Sequence, residues 1–150
     1  MPLTLMRAPT CPDPIGDHGV NTFTYSLYPH AGTWQTADTV QNALALNVPL
    51  LADAIEAQSG AMPASQSFIE TDRTDVVIDA FKQAQDGDGM ILRLYEAKQM
   101  RGDATVTVRL PFTRVTECNL METNEQDVPA KDGSFTFPIR PFEVKTFRLR

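Results

Sequence analysis

Three consecutive pieces decide the fold: Val76-Val77-Ile78-Asp79-Ala80-Phe81, then Asp86-Gly87-Asp88-Gly89, then Met90-Ile91-Leu92-Arg93-Leu94-Tyr95. Two runs rich in branched and aromatic residues flank a turn of alternating aspartates and glycines. Such side chains suit a pleated backbone, and glycine reaches positive φ cheaply, so the expectation is a β-hairpin. Further out, Val106, Val108 and Leu110 alternate with Thr105, Thr107 and Arg109, and Phe135, Phe137 and Ile139 alternate likewise. Phe23, Tyr25 and Leu27 alternate with Thr22, Thr24 and Ser26. A half-buried strand has this period of two. Lys131-Asp132-Gly133 reads as a second hairpin turn before Ser134. Pro138 and Pro141 donate no ladder hydrogen bond and belong at a sheet edge or strand end. In the last segment Phe142 and Val144 fall on one parity, Phe147 and Leu149 on the other. A one-residue bulge near Lys145–Thr146 would return all four to the core side.

Helical spacing is convincing once, from about Trp34 to Leu46. Trp34, Ala37, Val40 and Leu44 form an apolar stripe, Thr33 can cap the free amides, and Asn47 and Pro49 end the run. Gln58 to Gln66 reads as a linker. The expected fold is mainly β: an antiparallel β-sandwich with one short α-helix in the N-terminal piece. The expected division is residues 1–62 and 63–150.

The 150 residues carry 13 basic and 19 acidic side chains, a net charge of −6. Nucleic-acid grooves and polybasic membrane patches need clustered Lys and Arg, so neither partner is expected. No apolar run approaches the roughly 20 residues of a spanning helix, and Met1 to Arg7 lack the apolar core of a signal peptide. Cys11 and Cys118 are too few and too distant for a disulfide framework and read as buried free thiols. A cytoplasmic location is the expectation.

Chemistry-bearing residues are sparse. His18 lies beside Asp17 in the loop Asp13-Pro14-Ile15-Gly16-Asp17-His18-Gly19, and His30 follows an expected strand. Neighbouring residues rarely face one metal ion without a third ligand, and a surface imidazole explains His18 as well. A calcium loop with Gly89 at its sixth position would place Ala84 first and Tyr95 twelfth, and neither supplies the oxygens needed. Phe135, Phe137 and Phe142 could form a sugar platform, but their alternation favours core packing. No nucleophile elbow, phosphate-cradling loop or Cys-x-x-Cys occurs.

Three blocks nevertheless carry a resemblance. The first runs Leu5-Met6-Arg7-Ala8-Pro9-Thr10-Cys11-Pro12-Asp13-Pro14, Asp17-His18-Gly19, Phe23-Thr24-Tyr25-Ser26-Leu27-Tyr28-Pro29-His30-Ala31-Gly32 and Leu46-Asn47-Val48-Pro49-Leu50. The second is Asp86 through Glu96, and the third Arg140-Pro141-Phe142-Glu143-Val144-Lys145-Thr146-Phe147. In this order they resemble the C-terminal region of family 38 glycoside hydrolases, the bacterial-type α-mannosidases.

The resemblance implies an enzyme that hydrolyses α-mannosidic bonds with retention, using paired carboxylates and a bound divalent metal, usually zinc. In the family those groups lie in an N-terminal α/β barrel and the region after it, so the resemblance implies no catalytic or metal-ligating residue here and no cofactor in the chain itself. It implies that residues 1–62 finish a large β-sandwich region and residues 63–150 form a small C-terminal sandwich. The expected partner is the catalytic barrel, and mannosides are met through the whole enzyme. Asp17 and Gly19 match the family's Asp-x-Gly loop and are the expected pocket-side residues, although Val20 and Asn21 stand where the family often has an acid and a histidine. A strand edge left without its neighbours would favour self-association. A stand-alone carbohydrate-binding module or a structural interaction domain are the alternatives.

Overall fold

The computed structural model describes residues 3–16, 18–57 and 59–150. The chain divides into two compact units, Met1–Leu51 and Ala52–Arg150. The second holds β1 (Ile69–Thr71), β2 (Val76–Gln83), β3 (Met90–Glu96), β4 (Gly102–Val108), β5 (Val115–Cys118), β6 (Gln126–Val128), β7 (Ala130–Lys131), β8 (Ser134–Ile139) and β9 (Val144–Leu149). They form a four-stranded sheet, β1-β4-β8-β7, and a five-stranded sheet, β2-β3-β9-β5-β6. Every pairing is antiparallel.

Alternation places the core. Ala104, Val106 and Val108 of β4, and Phe135, Phe137 and Ile139 of β8, point to Leu92 and Leu94 of β3 and Phe147 and Leu149 of β9. Phe147 is the hinge pin, with ring centroids 4.9 Å from Phe135 and 4.6 Å from Phe137. Such tilted contacts add to the apolar burial.

Both expected turns form. Ala84 N donates to Gly89 O at 3.0 Å and Gly87 N to Ala84 O at 2.9 Å, closing the β2–β3 hairpin. Asp132 and Gly133 join β7 to β8 with φ of 51° and 76°, the double left-handed geometry that matches strand twist. Pro138 lies in β8, but β7 pairs only with Ser134 and Phe135. On that side its backbone is a local edge.

The expected bulge at Lys145–Thr146 does not form. β9 runs in unbroken register along β3, from Val144 opposite Tyr95 to Leu149 opposite Met90. Phe142 and Val144 stay 59% and 48% exposed. The parity break has another cause: both faces of β9 are covered, so Thr146 and Arg148 are as buried as Phe147 and Leu149. The irregularity of this sheet lies in β2 instead, between Ile78 and Ala80. Beyond β9's outer face, Ala84, Ile91 and Cys118 make a second small cluster.

In the first unit no described residue lies in a strand, so the strand expected over Thr22–Leu27 is absent. Alternation supplies a face, but a strand also needs a ladder partner, and none is formed. α1 spans Thr39–Asn47, shorter than expected. Thr36 N and Ala37 N both donate to Thr33 O at 3.1 Å, making a turn, and Asp38 at φ 50° separates it from the helix. The Thr33 hydroxyl therefore does not cap α1. The stripe is not buried either: Trp34 is 39% and Leu44 36% exposed. Cys118 is buried, but Cys11 is exposed, correcting the expectation of two buried thiols. Among the described residues no helix is long and apolar enough to cross a membrane.

Candidate functional site

Asp17 lies outside the described residues. Its partner in the expected loop, Gly19, is exposed at φ 129°. Around it the backbone is held locally: Asp13 Oδ1 accepts Ile15 N at 3.0 Å, and His18 N donates to Ile15 O at 3.3 Å. His30 Nδ1 sits 3.3 Å from Ala31 O, with its ring 5.5 Å from that of Tyr28. The Tyr28 hydroxyl donates to Ala37 O at 2.9 Å, beside a groove of about 480 Å3 that Ser26, Asn42 and Leu46 also line. Among the described residues no three His, Cys, Asp or Glu side chains are placed to hold a metal ion. Phe135 and Phe137 are in the core, which removes two of the three rings a sugar platform would use.

The sandwich concentrates its charge where the β2–β3 turn meets the end of β9. Arg148, 2% exposed, donates through Nη1 to both carboxylate oxygens of Asp86 at 2.9 and 2.8 Å and to Asp88 O at 3.0 Å. Its Nη2 donates to Glu122 O at 2.9 Å. Its Nε makes no hydrogen bond but faces Glu125 Oε1 at 3.4 Å. Arg150 forks onto Glu125, with Nη2 to Oε1 at 2.8 Å, and Nε reaches Asp88 Oδ2 at 2.7 Å. Lys82 pairs with Glu122, whose other oxygen accepts Gln85 N at 2.7 Å.

The loop that carries these acids, residues 119–125, is shaped by Asn119, whose Oδ1 accepts Met121 N, Thr123 N and the Thr123 hydroxyl at 3.0–3.1 Å. That side-chain turn sets Glu122 and Glu125 over the outer face of β9. A cleft of about 240 Å3 lies there, lined by Gln85, Met121, Thr123 and Arg148 among others.

The titration of these acids follows their partners. The Arg150 guanidinium and then the Thr116 hydroxyl hold Glu125 down to about 2. Glu122 is lowered first by the Gln85 amide and then by Lys82, and Asp86 first by the Asp88 amide and then by Arg148. Burial raises the Cys118 thiol. Carboxylates fixed as anions by guanidinium forks bind strands together. They are poor proton donors or bases near neutral pH.

A second knot joins the other end of β3 to the start of β9. Glu96 is fully buried, and its carboxylate accepts Lys98 N, Gln99 N, Met100 N and Phe142 N at 2.7–3.0 Å. Sequence reading placed Asp86 and Glu96 in a motif but missed their partners. The one available signal was an acid closing an otherwise apolar run.

Residues 75–147 match the model of the glycosyl hydrolases family 38 C-terminal beta sandwich domain. Over 98% of its length the chain is 33% identical to Alpha-mannosidase G of Dictyostelium discoideum and 35% identical to Alpha-mannosidase 2C1 of Homo sapiens. It is 25% identical to Alpha-mannosidase of Saccharomyces cerevisiae over 99% of its length. The chain spans only 14% of the first two relatives and 16% of the third. These matches identify residues 75–147 as a glycosyl hydrolases family 38 C-terminal beta sandwich domain, within a chain similar along nearly its whole length to α-mannosidases.

Proposed function

We propose that this chain serves as a non-catalytic C-terminal region of an α-mannosidase and buttresses a catalytic barrel supplied by the rest of the enzyme. The observation that carries this reading is the pattern of coverage: α-mannosidases match nearly the whole chain, yet the chain spans 14% of their length. The chemistry agrees, since the acids gathered at the β9 end are fixed by arginines or backbone amides.

In that reading the whole enzyme cleaves α-mannosidic bonds with retention and uses a divalent metal such as zinc. The residues described here do not fit that ion, for no three ligand-type side chains converge among them. The metal would belong to the remainder of the enzyme. Asp17 and Gly19 are the residues proposed to approach the substrate side, and the cytoplasm is the proposed compartment.

The purified chain is expected not to hydrolyse an aryl α-mannoside, with or without added zinc. The remainder of a parent enzyme, produced without this region, should lose soluble activity and regain it when the chain is co-expressed. Turnover by the chain alone, or a remainder equally active and stable without it, would overturn the proposal. Produced alone, the chain should self-associate as a two-fold dimer through its first unit, where Val20, Leu27, Leu50 and Leu51 are 85–99% exposed. Apolar exposure of this kind drives association, and light scattering at micromolar concentration should show twice the monomer mass; a clean monomer would refute it.

A further inference from the structure

At the end of the sandwich away from the Arg148 knot, β4 begins and β8 ends. Their ladder pairs Gly102 with Ile139 and Asp103 with Pro138. Arg101 directly precedes β4 and Arg140 directly follows β8, so extending the register one step past its last pair would set the two opposite each other. Like charges directly across an antiparallel pair repel. The other arginines of the sandwich are engaged: Arg73 with Asp75, Arg109 with Glu70, Arg114 with Asp127, Arg148 with Asp86 and Arg150 with Glu125. Arg93 donates to Thr146 and to the Leu120 carbonyl. Among the described residues neither the Arg101 nor the Arg140 guanidinium has a hydrogen bond or an ion pair. Both line one cleft of about 560 Å3, together with Gly102, Asp103 and Pro138.

We propose that this cleft binds a phosphate-type oxyanion held between Arg101 and Arg140. The nearby acids do not fill that role. Glu143 Oε2 is taken by the Arg140 backbone N–H at 2.8 Å, and Glu143 Oε1 faces Lys145 Nζ at 3.7 Å. Asp103 lines the cleft, but its carboxylate forms no ion pair among the described residues, and its carbonyl accepts Arg73 Nη1 at 3.2 Å. A Cβ at Gly102, where φ is 143°, would stand 3.1 Å from that same Nη1. A carboxylate presents two coplanar oxygens, which one guanidinium fork saturates. A tetrahedral oxyanion has further oxygens out of that plane and can accept from two guanidiniums at once. In a chain of net charge −6, a cleft with two unpaired guanidiniums is an exception to the general field.

The test is a titration of the full chain with inorganic phosphate at neutral pH, with ionic strength held constant by sodium chloride. Amide resonances of Gly102, Asp103 and Arg140 should shift saturably, and the apparent affinity should fall about tenfold or more in Arg101→Gln and in Arg140→Gln. Acetate at the same concentrations should give no saturable shift. Arg101→Glu should pair with Arg140, raise the thermal midpoint in chloride and abolish the phosphate response. Shifts that fail to saturate, a phosphate response that survives in both glutamine variants, or an equal response to acetate would each overturn the proposal. A glutamate variant no more stable than the native chain would remove the repulsion on which it rests.

Discussion

Gly89→Ala is expected to destabilise the sandwich far more than Gly87→Ala, although both glycines lie in the same turn at positive φ, 89° and 80°. A β-carbon in that region costs about 1–2 kcal/mol through its contact with the following carbonyl. At Gly87 the cost ends there, since nothing lies within 4 Å of the added atom. At Gly89 the added atom would overlap the Leu149 carbonyl oxygen and stand 3.2 Å from Arg150 Cγ. Leu149 cannot give way, because it is paired with Met90 on one side and Val115 on the other. Displacing it weakens ladder hydrogen bonds at roughly 1 kcal/mol each, so Gly89→Ala should cost roughly 3 kcal/mol. At about 4–8 °C per kcal/mol for a domain of this size, that is a fall on the order of 15 °C, against about half as much or less for Gly87→Ala. Thermal unfolding followed by far-ultraviolet circular dichroism measures both. Fluorescence would not serve, since the sole tryptophan, Trp34, belongs to the other unit. Equal falls for the two variants would refute the close approach of the turn to β9.

Glu96→Gln should cost about 2–3 kcal/mol in a urea titration. Its amide NH2 would face backbone N–H groups that now meet the carboxylate, leaving buried donors unpaired; a midpoint shift equivalent to less than about 0.5 kcal/mol would show that the knot is dispensable. Acid should loosen the Arg148 end of the sandwich. Glu125 is lowered from 4.5 to about 2 in the folded chain, so its contribution is complete above the unfolded value and is lost as pH falls from about 4.5 towards 2. Glu125→Gln should flatten that limb of a stability-against-pH curve, and an unchanged limb would exclude Glu125 as its source.

What the sequence made legible, and what it hid, follow the reach of each interaction. β4 and β8 each bury one face and expose the other, so Val106 and Val108, Phe135 and Phe137 declared themselves by a period of two. The turns at Gly87–Gly89 and Asp132–Gly133 are set by backbone conformation within four residues and were equally plain. β9 misled because loop 119–125 covers its outer face, a contact no local pattern reports. The helix began late because a local turn, Thr33 to Asp38, captured its first residues. Phe23, Tyr25 and Leu27 alternate as strands do, yet alternation specifies a face and not a neighbour.

The motif residues carry the same lesson into function. Asp86 opens the second family block and binds Arg148, one residue beyond the third block. Glu96 closes the second block and holds Phe142 N inside the third. Residues spaced for a shared role in sequence therefore meet in space, but what they do there is tie β3 to β9 at both ends. An acid that accepts several backbone amides, as Glu96 does, or that sits in a guanidinium fork, as Glu125 does, has its lone pairs spent. Such a group fixes a fold and has little left for proton transfer. The acids of these blocks thus close the sandwich, and its unspent charge lies elsewhere, at Arg101 and Arg140.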